Sequence, residues 1–148
     1  MNLLRLSNRL KSDEGVRYEV YLDHLGFKTF GVGHKITEGD PEYQLPVGAP
    51  VPMSVVYEVF QKDLREAIAD ARDVYFDVWD ELPEEVQEIL VNMVFNLGRR
   101  GLSKFYRMNF HIRNRDWKAA ALEGRDSLWH KQVPNRAERL MVELENIG

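Results

Sequence analysis

Three residues combine side-chain type and spacing in a way that could do chemistry: Glu14, Asp23 nine residues later, and Thr29 six beyond that. A carboxyl that gives up a proton, faced by a second carboxyl and a hydroxyl, is the apparatus that acid-assisted cleavage of a glycosidic bond needs. One group protonates the leaving oxygen and the other works across the sugar ring. In the inverting version the two carboxyls stand roughly 6.5–9.5 Å apart, which leaves room for a water molecule. Glu14 falls where a leucine-patterned helix should end, at the negative pole of the helix dipole, with Asp13 beside it. Both neighbours disfavour the charged carboxylate, a poor arrangement for stability and a useful one for a general acid. Taken singly, each residue also fits a plain role. Glu14 suits a solvated helix end, Asp23 a turn and Thr29 a strand, so none alone supports an enzyme.

The elements around these residues must bring them together. Leu3, Leu6 and Leu10 recur at helical spacing, which predicts a helix over residues 2–13 ending before Gly15. In RYEVYLD, Tyr18, Val20 and Leu22 alternate with Arg17, Glu19 and Tyr21, the period of a strand. Residues 23–26 read as a turn, and FKTFGVGH as a returning strand bent at Gly31 and Gly33. The hairpin can bring Asp23 and Thr29 near one another, opposite the helix end. Four of the six prolines, Pro41, Pro46, Pro50 and Pro52, fall in residues 35–52, so this stretch reads as an ordered loop closing a β-lobe.

The rest reads helical. Ser54 is a candidate cap for a long helix carrying Val56, Val59, Phe60, Leu64, Ala67 and Ile68. Pro83 suits the start of a helix whose apolar face runs from Val86 to Leu97, with Gly98 as its stop. Ser103, Asp116 and Asp126 are candidate caps for three short helices, and Pro134 begins a last one. The expected fold class is α+β, in one domain of two lobes. Residues 14–52 form a small antiparallel β-lobe, residues 1–13 and 72–148 a helical lobe, and residues 53–71 the connecting helix. A cleft between lobes is a common place for a substrate.

Bulk properties narrow the function classes. The chain of 148 residues is 44% hydrophobic and 30% charged, the composition of a globular protein. Its net charge of −4 argues against nucleic acid as a partner and for weak long-range steering toward anionic surfaces. With no cysteine it can form neither disulfides nor thiolate metal sites. No apolar run suits a membrane span or the core of a signal peptide, so no stable membrane insertion is expected.

The segment DEGVRYEVYLDHLGFKTFGVGHKIT resembles the active-site stretch of the T-even phage-type lysozymes, glycoside hydrolase family 24. The resemblance rests on Glu14–Gly15, Asp23, Thr29 and Gly31–Val32–Gly33–His34 at the family's spacing. It continues in NMVFNLG (residues 92–98), similar to a central buried helix, and in WHKQVPNRAERL (residues 129–140). Residues 35–52 are the weakest part and are shorter than in the best-known members.

The resemblance implies a lysozyme-like bilobal fold and hydrolysis of the β-1,4 bond between N-acetylmuramic acid and N-acetylglucosamine in bacterial peptidoglycan, with no cofactor. Glu14 would donate the proton. Asp23 would stabilise positive charge on the sugar and orient the attacking water, which Thr29 would hold. Lys35 and Phe95 match positions that line the sugar cleft, with core packing the competing role for Phe95. His34 is expected to be a structural hydrogen-bonding residue, since no second ligand is spaced for a metal. Arg136 matches an arginine that approaches the catalytic glutamate and would favour its charged form, opposing the dipole. Trp117 and Trp129 are expected in the core.

The implied setting is an endolysin, monomeric, made in the host cytoplasm and reaching the wall once a holin opens the membrane. The lack of a signal sequence agrees with that expectation, and the lack of flanking domains favours it over a tail-machine lysozyme. The alternatives are a chitin-type glycan hydrolase and a catalytically silent wall-binding module. The intact Glu14, Asp23 and Thr29 argue against the last.

Overall fold

The computed structural model describes residues 1–148. Helix α1 spans Leu3–Glu14 and stops at Gly15, whose N–H bonds the Lys11 carbonyl. Strands β1 (Arg17–Leu22), β2 (Lys28–Gly31) and β3 (His34–Lys35) follow, then α2 (Met53–Val74), α3 (Glu84–Ser103), α4 (Tyr106–Arg113), α5 (Trp117–Arg125), α6 (Leu128–Gln132) and α7 (Pro134–Glu145). Single 3-10 turns lie at Pro41–Gln44 and Trp79–Glu81. The strands form one antiparallel sheet in the order β1-β2-β3, so the architecture is α+β with a lysozyme-like sequence of elements.

By contacts the chain divides into two compact units, Leu3–Glu66 and Ala67–Gly148 with Met1–Asn2. Helix α1 thus groups with the sheet, whereas the expected lobes grouped residues 1–13 with the C-terminal helices.

In the first unit the sheet packs its apolar face on the start of α2. Val20, Phe30, Val51 and Val56 are buried together, with Ile36, Leu45, Ala49, Val55 and Val59 around them. Full burial of side chains such as Val20 and Phe30 contributes about 1.5–3 kcal/mol each. The proline-rich stretch is ordered for a visible reason. The Val20 N–H bonds Ala49 O, the Gly48 N–H bonds Val20 O and the Val51 N–H bonds Tyr18 O, at 2.9, 2.7 and 2.8 Å. Residues 48–51 therefore cover the outer edge of β1, which would otherwise stand open to pairing with another chain.

In the second unit, helix α3 breaks helical geometry at Gly98 (φ 76°, ψ 166°) and resumes to Ser103. Gly98 is thus a kink rather than the expected stop. Tyr75 is fully buried, and its hydroxyl donates to Asn109 Oδ1, while Asn109 Nδ2 donates to the Leu102 carbonyl at 3.0 Å. Ala137, Leu140, Met141 and Leu144 on α7 are buried, as their spacing predicts. Trp79 and Trp129 are core residues, and Trp129 donates its ring N–H to Asn96 Oδ1 at 2.8 Å. Trp117 is only half-buried, under the guanidinium of Arg115.

Three expected caps are not caps. Ser54 is the second residue of α2, which begins at Met53. Ser103 closes α3 and bonds the Arg100 carbonyl. Asp126 ends α5, and the neighbouring Ser127 caps α6 by accepting from the His130 N–H. Asp116 does cap α5, accepting from the Ala119 N–H at 3.1 Å.

Candidate active site

Glu14 is the last residue of α1 and is half-buried. Its carboxyl packs on the tight turn between β2 and β3. A Cβ added at Gly33 would collide with Glu14 Oε1 and stand 2.9 Å from Cδ and 3.2 Å from Cγ. Gly33 also has φ +64°, which side-chain-bearing residues rarely adopt. The glycine is therefore required twice, by the turn and by the carboxyl lying against it. That turn corrects the expected single strand FKTFGVGH: β2 ends at Gly31 and β3 begins at His34.

Asp23 sits in the turn after β1, and its Oδ1 accepts from the Leu25 and Phe27 N–H groups at 2.9 and 2.8 Å. The turn role read from sequence is real. One oxygen is pinned by two backbone donors, so the carboxylate is fixed in direction while Oδ2 stays outside those bonds.

Thr29, in the middle of β2, is 2% exposed, and its hydroxyl donates to the Phe27 carbonyl at 2.8 Å. With that proton committed, Thr29 Oγ1 offers lone pairs only. A water held between Asp23 and Thr29 would donate a proton to each, leaving its own lone pair to point elsewhere.

The register places Thr29 opposite Tyr21 on one side and Lys35 on the other. Lys35 is exposed, with Nζ 5.1 Å from the ring centroid of the exposed Phe27. Tyr21 was not among the expected site residues, although strand alternation put it on the polar face with Arg17 and Glu19. Burial pushes its phenol above the ordinary range. The charges of Glu14 and Asp23 push the same way, and Arg17 opposes them.

His34 is held at both ring nitrogens. Its ring stacks on Phe30 at 5.1 Å, Nδ1 lies 2.7 Å from Asp63 Oδ2, and Nε2 lies 2.9 Å from Asp40 Oδ2. Burial opposes a charge on the ring, but the bonds to Asp63 and Asp40 outweigh it and raise the imidazole above its ordinary value. Asp40 is in turn held low: burial raises it, and the Thr37 N–H and His34 more than compensate.

Phe95 and Arg136 belong to the second unit. Phe95 is half-buried on α3. Arg136, on α7, is 9% exposed, and its Nε donates to Asn92 Oδ1 at 2.9 Å and Nη2 to the Asn92 carbonyl at 3.3 Å.

Known proteins resemble this chain in sequence. The family model described as "Phage lysozyme" matches residues 11–141. The chain is 31% identical over 156 residues to the pre-baseplate central spike protein Gp5 of Enterobacteria phage T4, covering 94% of this chain and 27% of that protein. Over 158 residues it is 29% and 28% identical to probable T4-type lysozymes 2 and 1 of Dictyostelium discoideum, covering 95% of this chain and 93% of each. The match reaches from within α1 through Glu14, the whole sheet and the long helices into α7, and on that evidence the chain belongs to the phage lysozyme family of glycoside hydrolases.

Proposed function

We propose that this chain hydrolyses the β-1,4 bond between N-acetylmuramic acid and N-acetylglucosamine in bacterial peptidoglycan with inversion at the anomeric carbon. The observation that carries this reading is the fixed placing of one acid over a glycine turn and of a second carboxylate and an acceptor hydroxyl on the adjoining hairpin. Glu14, protonated, gives its proton to the glycosidic oxygen as that bond breaks. A water donating to Asp23 and Thr29 attacks the anomeric carbon from the other face, and its proton passes to Asp23. The negative charge of Asp23 also offsets the positive charge that builds on the sugar. The likeness to proteins named T4-type lysozyme supports this chemistry.

We further propose that the biological outcome is lysis of a host cell from within, with the protein working as a monomer on the wall once the membrane has been opened. No helix is long and apolar enough to cross a membrane.

The deciding test is clearing of outer-membrane-stripped bacterial walls by wild type and by E14Q, with folding compared by circular dichroism. Clearing by the wild type alone supports the reading. Equal clearing by both removes Glu14 from the mechanism. Clearing by neither, with wall binding retained, turns the reading toward a silent binding module.

A further inference from the structure

The row of side chains across the sheet includes a phenol that the mechanism above does not use. Tyr21 is opposite Thr29 in the β1–β2 register, and Thr29 is opposite Lys35 in the β2–β3 register. Directly paired residues in an antiparallel sheet project to the same face, with Cβ atoms roughly 4.5–5.5 Å apart. Tyr21 therefore emerges beside Thr29 and two residues ahead of the pinned Asp23.

Its ring is covered by a cation. The guanidinium carbon of Arg17 lies 4.2 Å from the ring centroid, and Arg17 Nη2 donates to Glu19 Oε1 at 2.9 Å. The pairing is irregular between Arg17 and Tyr21, which lets the guanidinium fold over the ring. Stacked on a cation and half-buried, the ring has little rotamer freedom to lose when a ligand arrives.

We propose that Tyr21 is a further substrate-contacting residue, its phenol hydroxyl donating a hydrogen bond to an oxygen substituent of the sugar that spans Glu14 and Asp23. The chemistry suits a glycan. The Glu14 proton is committed to the glycosidic oxygen and the ionised Asp23 offers only acceptors, so a further acceptor oxygen of the sugar between them is met by a neutral donor such as a phenol. Burial and the two nearby carboxylates keep the phenol protonated through the neutral range. A lysine there would instead pair with Glu14 or Asp23 and compromise both. The proposal rests on the glycosidase reading of this same site.

The test separates the two claims. In an E14Q background, which binds without cleaving, tyrosines are labelled with 13C at Cζ, and the Tyr21 resonance is the one absent from an added Y21F change. Titration with a tetrasaccharide of alternating N-acetylglucosamine and N-acetylmuramic acid should move that resonance, and Y21F should weaken binding about five- to tenfold, the range of one lost hydrogen bond. In the otherwise wild-type enzyme, Y21F should lower kcat/KM by a similar factor with unchanged thermal stability, since the ring and its Arg17 stack remain. Y21L, which loses both, should bind more weakly still. A saturated complex with an unmoved Tyr21 resonance, or Y21F binding and cleaving as the parent does, overturns the proposal while leaving the lysozyme reading intact. Wild-type enzyme that fails to cleave the tetrasaccharide overturns the lysozyme reading instead, and the resonance shift still reports whether Tyr21 meets the glycan.

Discussion

His34 Nδ1 and Asp63 Oδ2 lie 2.7 Å apart and tie the third strand of the sheet to helix α2. Both side chains are about four-fifths buried, with 17% and 20% of their surface exposed, so solvent screens the pair weakly. Because the folded imidazole titrates above its ordinary value, it contributes stability in full below about pH 6.5 and loses that contribution as pH rises through its folded value. Asp40, held low, acts in the opposite sense: its contribution is present above the ordinary aspartate range and fades as pH falls through its folded value. The two together set a window of greatest benefit between roughly pH 4.5 and 6.5. Substituting D63N should cost about 1–3 kcal/mol in urea unfolding at pH 5.5 and clearly less at pH 9.5. An equal cost at both values would mean that the bond does not depend on the charge of the ring.

The candidate catalytic residues should separate by the kind of loss they cause. E14Q keeps the shape and removes the proton donor, so wall-clearing activity should fall about 10²–10⁴-fold with an unchanged melting temperature. D23N keeps an oxygen that can accept from Leu25 and Phe27, so it too should stay folded while losing activity. D23A removes the acceptor from two backbone donors and should lose about 1–3 kcal/mol as well as activity. If D23A loses stability but D23N retains full activity, Asp23 is a turn former and nothing more.

Thr29 admits a finer comparison. T29S retains the hydroxyl and its bond to the Phe27 carbonyl, so it should keep much of the activity at a small cost in packing. T29V fills the same volume without the oxygen and should lose activity at least tenfold, the loss of a group that holds the attacking water. Steady-state hydrolysis of soluble wall fragments distinguishes them, and equal rates for the two variants would remove the hydroxyl from the reaction.

What was legible in the sequence was local. Helix α1, strand β1 and the Asp23 turn each depend on neighbours a few residues away, and each is present, although of the alternating set in β1 only Val20 is buried while Tyr18 and Leu22 are exposed. The family motif added Glu14, Asp23 and Thr29 because its spacing encodes one hairpin beside one helix end. The misplaced caps have a common cause. Ser54 and Ser103 are good capping types, but the apolar pattern does not say which turn is the first, and Met53 rather than Ser54 opens α2. The longer-range relations were out of reach. His34 finds one partner six residues on and the other 29 residues on, and nothing in the chain marks Asp40 or Asp63 among 24 acidic residues. Tyr21 gains its place from register, which a strand's own sequence does not give.

The C-terminal helix is fastened by a charge network whose pH dependence runs opposite to that of His34. Arg125 Nε and Nη2 donate to Glu138, and its Nη1 and Nη2 donate to Glu145 at 2.8 and 2.9 Å. His130 Nε2 also lies 3.0 Å from Glu138 Oε1. Arg125 first and His130 second hold Glu138 down to about 2. A carboxylate so lowered contributes above its ordinary value near 4.5 and loses the contribution as pH falls toward 2. R125A should therefore lower the melting temperature at pH 7 and at pH 5, with the difference from wild type closing by pH 2. A difference that persists at pH 2 would assign the effect to packing of the arginine stem.

Two glycines distinguish backbone strain from crowding at the site. Gly26 has φ +86° with nothing within 4 Å of an added Cβ, whereas Gly33 has φ +64° and Glu14 in the way. An alanine at either position must adopt a left-handed backbone, at about 1–2 kcal/mol. G26A should show that loss in chemical denaturation and retain wall-clearing activity. G33A should show at least the same loss and also displace the Glu14 carboxyl, so activity should fall about 10²-fold, the scale of a 1 Å misplacement of a reacting group. Soluble-fragment kinetics on the two folded variants decide the matter. If G33A is as active as G26A, the Glu14 carboxyl does not need the Gly33 turn to hold its working position, and the arrangement that carries the proposed mechanism is incidental.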